Sequence, residues 1–291
     1  MNVLMTGADG FIGGNFLRVF SSCHDKNDLF LLTLSPVGGY KNIDYFSFKF
    51  DKRDIEKIGK IDVLLLLGAF VERDKNEPHL VRKHLSSIES IEYLLTHLPS
   101  APGKVVYCSS IAVYGADSSL PYYPRNEVLD EESNVNPVRT YALSKIFCER
   151  LVSEWCRENN VKCQIVRIGS VYNSTFNNGF LGYAIKACKN NEVFRLSAPL
   201  SKLWNYVHVD DVCQWIVNSL YLKETPGVIN LTSNSNFTTL EIVELIKACN
   251  PSFQYEIIKT DLQFGVDNVF NSKKREKYLG PEEHSLKQLF I

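Results

Sequence analysis

Tyr141 and Lys145 stand four residues apart in the segment Tyr141-Ala142-Leu143-Ser144-Lys145. On a helix that spacing puts a phenol and an ammonium on one face. A nearby ammonium favours phenolate and draws a tyrosine pKa down toward the working pH. Such a phenol can exchange a proton with a hydroxyl or carbonyl while a nicotinamide exchanges hydride. Upstream, Cys108-Ser109-Ser110 closes an apolar run, where Ser110 can donate a hydrogen bond to the same oxygen. The third chemical feature is Gly7-x-x-Gly10-x-x-Gly13. It follows the apolar residues Val3, Leu4 and Met5 and overlaps an apolar-periodic segment (Phe11, Ile12, Phe16, Leu17, Phe20). Strand, tight turn and helix in that order are the context a dinucleotide fingerprint requires. Gly7 permits the turn, Gly10 lets backbone approach a pyrophosphate, and Gly13 lets helix and strand pack closely. The first-turn N–H groups of Phe11, Ile12 and Gly13 then face the phosphates.

The elements that must carry these groups alternate along the chain. Apolar runs at Leu29–Leu34, Val63–Leu67, Lys104–Cys108 and Gln164–Ile168 read as strands, with a shorter alternating strand at Tyr45–Phe50. Helical patterns run from Leu80 to Leu95 and from Tyr141 to Glu158. The continuous apolar character of Val63–Leu67 marks a strand covered on both faces. Strands alternating with helices predict an α/β fold, a Rossmann-like doubly wound parallel sheet. In such a sheet ligands gather at the carboxyl ends of the strands, where Ser110 falls. Beyond Gly169 the rhythm changes. A helix near Phe180–Cys188, the run Val207-His208-Val209, a helix from Asp210, a strand at Val228–Leu231 and a helix capped by Thr238 follow. The spacing predicts a dinucleotide-binding domain over 1–169 and a substrate lobe over 170–291, with about 205–232 returning to the sheet.

Composition sets the bounds. The 291 residues carry a formal net charge of −1, 45% hydrophobic and 22% charged residues. There is no basic excess for nucleic acid and no apolar run of membrane-spanning length. The glycine motif begins almost at Met1, leaving no room for a secretory signal, so a cytoplasmic protein is expected. In that setting the triplets beginning at Asn173, Asn230 and Asn236 carry no glycosylation meaning. Eight cysteines lie without a C-x-x-C pair. No metal site is expected, and Cys148, Cys156, Cys188, Cys213 and Cys249 read as core fillers.

Taken together, the glycine motif, Ser109-Ser110, Val113-Tyr114-Gly115 and Tyr141-x-x-x-Lys145 resemble the extended short-chain dehydrogenase/reductase superfamily. Arg167-x-x-x-Val171-Tyr172 and Tyr206-Val207-His208-Val209-Asp210-Asp211-Val212 resemble its nucleotide-sugar epimerase/dehydratase/reductase branch. The likeness spans about the first three quarters of the chain. It implies Tyr141 as acid/base, Lys145 on the nicotinamide ribose, and Ser110 polarising a sugar C–O group. It also implies Asp51 and Lys52 beside adenine, Gly68 and Ala69 alongside the cofactor, and a homodimer through two helices packed beside the sheet.

Departures from the branch pattern narrow the reaction. Family 4,6-dehydratases carry Asp-Glu directly after the catalytic hydroxyl residue, where this chain has Ile111 and Ala112. Dehydration is therefore disfavoured. Ser170, Asn173 and Trp204 replace a common Asn, Gly and Arg, and a tryptophan cannot supply the arginine's charge to a diphosphate. Lys202 and Arg275 are candidate replacements, with Ser170 and Asn178 as further substrate contacts. His84 stands where a family Asn supports the site and reads first as a structural helix histidine. The second strand ends Leu34-Ser35-Pro36 without an acid for the ribose 2′-hydroxyl. Ser35 and Lys41 there could accept a 2′-phosphate, which favours NADP(H) over NAD. The leading expectation is an NAD(P)-dependent reductase of a 4-keto, nucleotide-linked sugar. The alternatives are an NAD-dependent 4-epimerase and, in another class, a non-catalytic dinucleotide sensor.

Overall fold

Val3–Thr6 forms β1, and all four residues are buried. In the computed structural model of the protein this strand lies inside the sheet and fixes the direction of its neighbours. The structure describes residues 1–290 except 46–48, 71–77, 116–126, 176–178, 197 and 259–265. After β1 come α1 (Phe11–Cys23), β2 (Leu29–Thr33), β3 (Lys41–Asp44), α2 (Lys52–Glu56), β4 (Val63–Leu66) and α3 (Leu80–His97). Then follow β5 (Lys104–Ser110), a short 3-10 turn (Ile111–Tyr114), α4 (Thr140–Glu158) and β6 (Lys162–Ile168). These strands and the later β11 (Val228–Leu231) make a seven-stranded sheet in the order β11-β6-β5-β4-β1-β2-β3. Every pairing in it is parallel.

Successive strand residues face opposite layers, so one apolar run feeds two cores. Val3, Met5, Leu29, Leu31 and Leu65 pack with Phe16 and Phe20 of α1 and with Val212, Trp215 and Ile216 of the later helix α6 (Val209–Tyr221). Leu4, Leu32, Leu64 and Leu66 pack on the other face with Ile91 and Leu94 of α3 and Cys148 and Val152 of α4. Each large side chain so buried contributes roughly 1.5–3 kcal/mol.

Strand order reverses direction around β1, which opens a crevice at the carboxyl ends of β1 and β4. Three glycines close the floor of that crevice. Gly7 turns with φ +78°, and a Cβ there would lie 2.5 Å from Gly68 Cα. A Cβ on Gly13 would lie 1.9 Å from the Gly7 carbonyl oxygen and 2.9 Å from the Ala8 backbone.

The smaller layer carries β7 (Ser170–Tyr172), α5 (Gly179–Asn190), β8 (Phe194–Leu196), β9 (Leu203–Trp204) and β10 (Tyr206–His208). It also holds β12 (Phe237–Thr238), α7 (Thr239–Cys249) and β13 (Tyr255–Ile257); α8 (Lys273–Leu279) follows. Its own core joins Leu181, Ala184, Phe194, Ile242, Val243 and Phe253. A capping box starts α7: Thr238 accepts from Glu241 N at 3.1 Å, and Glu241 accepts from Thr238 N at 2.6 Å. Within the 205–232 stretch, α6 packs on α1 and β11 joins the edge of the sheet. The Asp211 carboxylate holds the C-terminal tail, accepting from the amides of Glu283 and His284 and bonding His284 Nδ1 at 2.8 Å.

Two readings are corrected. The strand expected at Tyr45–Phe50 lies earlier, at Lys41–Asp44, and residues 46–48 fall outside the described part. β3 is an edge strand that buries only Ile43, so it has no apolar run to read. Of the expected core cysteines, Cys249 is exposed and Cys188 half-buried; all eight cysteines are free thiols. Among the described residues, no helix is long and apolar enough to cross a membrane.

The backbone contact at Gly13 cannot yield as a flexible side chain can. Gly13→Ala is expected to destabilise the protein by about 1–3 kcal/mol or more. A thermal midpoint equal to that of the unmodified protein, followed by circular dichroism, would contradict this contact.

Candidate active site

The crevice above β1 and β4 has one built wall and one open one. Gly10 is the N-cap of α1 with φ −82°, and no side chain caps the helix. A helix that starts in this way is the kind of element that meets an anion with its first-turn backbone. Here Gly10 differs from its neighbours. A Cβ on it would meet only the Gly7 carbonyl, at 3.4 Å. The fold itself does not require glycine at that position, while a phosphate approaching the backbone would. Gly68 N–H donates to Thr6 Oγ1 at 3.1 Å, and Gly68 and the half-buried Ala69 follow β4 at the same edge. These residues fit a dinucleotide.

The outer part of the cofactor side is more solvated. Asp51 is the N-cap of α2, accepting from Arg53 N at 2.9 Å, and it pairs with the Arg53 guanidinium at 2.6 Å. That guanidinium holds the Asp51 carboxyl down at about 2. Lys52 and Ser35 are exposed. Thr33 Oγ1 donates to the Ser35 carbonyl at 2.6 Å, shaping the turn after β2 and leaving the Ser35 hydroxyl outward. Lys41 is turned away from that turn: its ammonium donates to the Asn27 carbonyl at 2.8 Å and lies 4.5 Å from the Phe30 ring centre.

At the next strand ends, β5 supplies Ser110 and α4 supplies Tyr141 and Lys145. Ser110 caps the 3-10 turn, its Oγ accepting from Ala112 N at 3.2 Å. Lys145 is 5% exposed and donates to the Cys108 carbonyl at 2.8 Å. Its Nζ lies 5.2 Å from the Tyr107 ring centre and 5.9 Å from that of Tyr141. Tyr141 is half-buried. His84 of α3 is buried against it, ring centres 5.9 Å apart, with Phe70 5.1 Å away on an edge. Where dehydratases carry two carboxylates, Ile111 is buried in an apolar cluster with Val113, Tyr114, Leu129 and Phe270.

The lobe cations are placed otherwise than the sequence suggests. Lys202 is 1% exposed, donates to the Val266 carbonyl at 3.0 Å, and lies 3.8 Å from the Trp204 ring centre. Burial lowers its pKa to about 8. Arg275 is fully buried: it donates to the Gly280 carbonyl and to Asn234 Oδ1 and stacks 4.2 Å from Trp215. Each of these charges is enclosed by protein oxygen atoms and an indole. Trp204 donates to Thr239 Oγ1 at 2.8 Å and stacks on Phe180 with centres 4.7 Å apart. Ser170 opens β7, half-buried; Asn178 lies outside the described residues. The residues that sequence reasoning missed are Glu149 and the side-chain role of Arg167. Glu149 has a signal in retrospect, since it continues the four-residue spacing of Tyr141 and Lys145.

The parallel sheet, the glycine floor and the strand-end hydroxyls define a dinucleotide-dependent enzyme of the short-chain dehydrogenase/reductase type. Residues 3–232 match the NAD dependent epimerase/dehydratase family, and the chain belongs to that family. It is 24% identical to the ADP-L-glycero-D-manno-heptose-6-epimerase of Brachyspira hyodysenteriae, over 99% of this chain and 90% of that protein. It is 22% identical to the dTDP-D-glucose 4,6-dehydratase of Bos taurus, over 87% and 75% of the two chains. Among solved structures, its fold is similar to UDP-glucuronic acid 4-epimerase from Bacillus cereus, in complex with UDP-glucuronic acid and NAD. The TM-score is 0.80, with 17% identity and coverage of 100% and 96%. The UDP-glucose 4-epimerase of Thermotoga maritima gives 0.75 at 17% identity, covering 100% and 97%.

Gly10→Ala separates cofactor chemistry from folding. The variant is expected to keep the thermal midpoint of the unmodified protein and to bind dinucleotide at least about tenfold more weakly, the methyl filling the phosphate approach. Fluorescence titration with NADH and NADPH checks it; undiminished affinity would show that the pyrophosphate lies elsewhere.

Proposed function

We propose that the protein is an NAD(P)-dependent reductase of a 4-keto, nucleotide-linked sugar. The observation that carries this reading is the set Ser110, Tyr141 and Lys145 at the end of β5, combined with apolar Ile111 and Ala112 directly beyond it. Proton transfer at an oxygen is provided for, while the two positions directly after Ser110 hold apolar side chains in place of a base and an acid. The nicotinamide, when bound, supplies or accepts hydride. Tyr141 donates its phenolic proton to the oxygen of the reduced carbon. The Lys145 ammonium, one N–H already committed to the Cys108 carbonyl, holds the ribose and stabilises phenolate. Ser110 Oγ accepts from Ala112 N, which leaves its own O–H for the sugar oxygen. Asp51 and Lys52 take the adenine side, and Ser35 at the acid-free end of β2 favours NADP(H). Ser170 takes the sugar side, and Asn178, outside the described residues, is a further candidate from the sequence.

A second reading is 4-epimerisation with retained NAD, which uses the same residues. The epimerase names of several relatives and neighbours favour it. So does the engagement of Lys41 away from the β2 turn.

We further propose a homodimer through α3 and α4. Val81, Leu85, Leu143 and Phe147 on those helices are each more than half exposed, and they line a groove of about 610 Å³. Covering such a patch removes apolar surface from water.

Denaturing the purified protein and weighing any released dinucleotide separates the two readings. An empty protein that prefers NADPH and reduces 4-keto nucleotide sugars supports the reductase; tightly held NAD without net NADPH consumption overturns it for the epimerase. Tyr141→Phe is expected to lower turnover by about 10²-fold or more while keeping dinucleotide affinity. Retained turnover would remove Tyr141 from the chemistry. Phe147→Asp is expected to run as a monomer by light scattering; an unchanged mass would place the dimer interface elsewhere.

A further inference from the structure

One helical turn beyond Lys145, α4 carries a charge that the chemistry does not use. Glu149 and Arg167 of β6 are both buried, their side chains 6% and 7% exposed. Arg167 Nη2 lies 2.8 Å from Glu149 Oε2 and Nε 3.0 Å from Oε1, a two-pronged pair. Ser109 of β5 donates to the same Oε1 at 2.5 Å. On the far side Arg167 Nη1 donates to the Tyr114 hydroxyl at 2.7 Å, and Tyr114 donates to Asn230 Oδ1 at 3.0 Å. The Glu131 carboxylate accepts from Asn230 N at 2.8 Å. The network thus joins α4, β5, the 3-10 turn, β6 and β11.

Stability is a poor reason for such a network. A buried ion pair gains little over well-packed apolar residues, because desolvation offsets most of the Coulombic attraction. What it does supply is direction. Apolar packing tolerates a small rotation or slide of a helix, whereas three charge-assisted bonds to one carboxylate do not. Tyr141, Lys145 and Glu149 occupy one face of α4 at successive four-residue steps. Ser109, which Glu149 holds, is covalently next to Ser110.

We propose that Glu149 is a positioning residue. Through Ser109 and Arg167 it fixes the height and rotation of α4 against β5, so that Tyr141 and Lys145 meet Ser110 in the geometry proton transfer requires. This rests on the reading of Ser110, Tyr141 and Lys145 given above. Glu149 itself is enclosed and acts through Ser109 and the helix, without reaching substrate.

Two variants of the full chain test it, Ser109→Ala and Glu149→Gln. In Ser109→Ala one hydrogen bond is lost in a small site. The expected result is a kcat lower by about tenfold, with substrate KM within about twofold and a thermal midpoint within a few degrees. Ser109→Thr, which keeps the hydroxyl, is expected to recover most of the rate. NADH affinity, read by fluorescence without any sugar, is expected to weaken by about threefold or more in Ser109→Ala, because Lys145 shifts. In Tyr141→Phe it should not. Unmodified kcat and NADH affinity in folded Ser109→Ala overturn the proposal, as does a rate loss that only tracks loss of folded protein. If Glu149→Gln fails to fold, Ser109→Ala decides alone. If the unmodified protein turns over no nucleotide sugar, the functional reading fails and the NADH titration decides the positioning role by itself.

Discussion

Backbone meeting backbone at Gly7, Gly13 and Gly68 is the constraint on which the rest of this structure depends. A side chain on Gly13 would collide with the Gly7 carbonyl, and one on Gly7 would collide with Gly68. With side chains absent at Gly7 and Gly13, α1 begins directly over β1 while β4 runs beside it; Gly68 is less tight, its nearest contact from a Cβ being 3.1 Å. That close approach sets where the helix N-terminus points and how wide the crevice is. Parallel pairing then brings the ends of β4 and β5 to the same edge. A helix start without a side-chain cap would be a local defect in an ordinary βα turn. Here the helix starts at the crevice edge with backbone alone, without a side-chain cap.

The same edge is calibrated a second time by α4. Its buried face carries half-buried Tyr141 and then the buried Lys145 and Glu149. The first packs against His84, the second bonds the β5 backbone, and the third bonds side chains of β5 and β6. Ser109 and Ser110 divide the corresponding roles on the strand. One hydroxyl is turned to the network, and the other caps the turn at the mouth of the crevice.

The lobe encloses its two buried cations with aromatic surface. Trp204 stacks with Phe180 and Tyr206 and covers the Lys202 ammonium. Arg275 is likewise held by carbonyls and Trp215, which ties α8 to α6. Enclosure of this kind makes the two cations structural: each has exchanged water for carbonyl oxygens and an indole face, and neither is left facing a bound anion.

Sequence by itself determined the fold class and the chemical vocabulary. Continuous apolar runs such as Val63–Leu66, short and alternating with helical patterns, read as strands covered on both faces, and three spaced glycines between a strand and a helix have few physical uses. Tyr141 and Lys145 needed only helical periodicity to be set on one face. The one-sided edge strand β3 was not legible, since a strand with a single buried residue carries no apolar run. Tertiary structure alone decided what distant side chains do with their charge. Spacing cannot show that Lys202 and Arg275 turn inward, that Lys41 bonds a carbonyl before β2, or that Glu149 and Arg167 meet beneath the site. Local patterns arise from neighbours within about a turn of chain, whereas the partner of a buried charge is chosen by packing across the whole molecule.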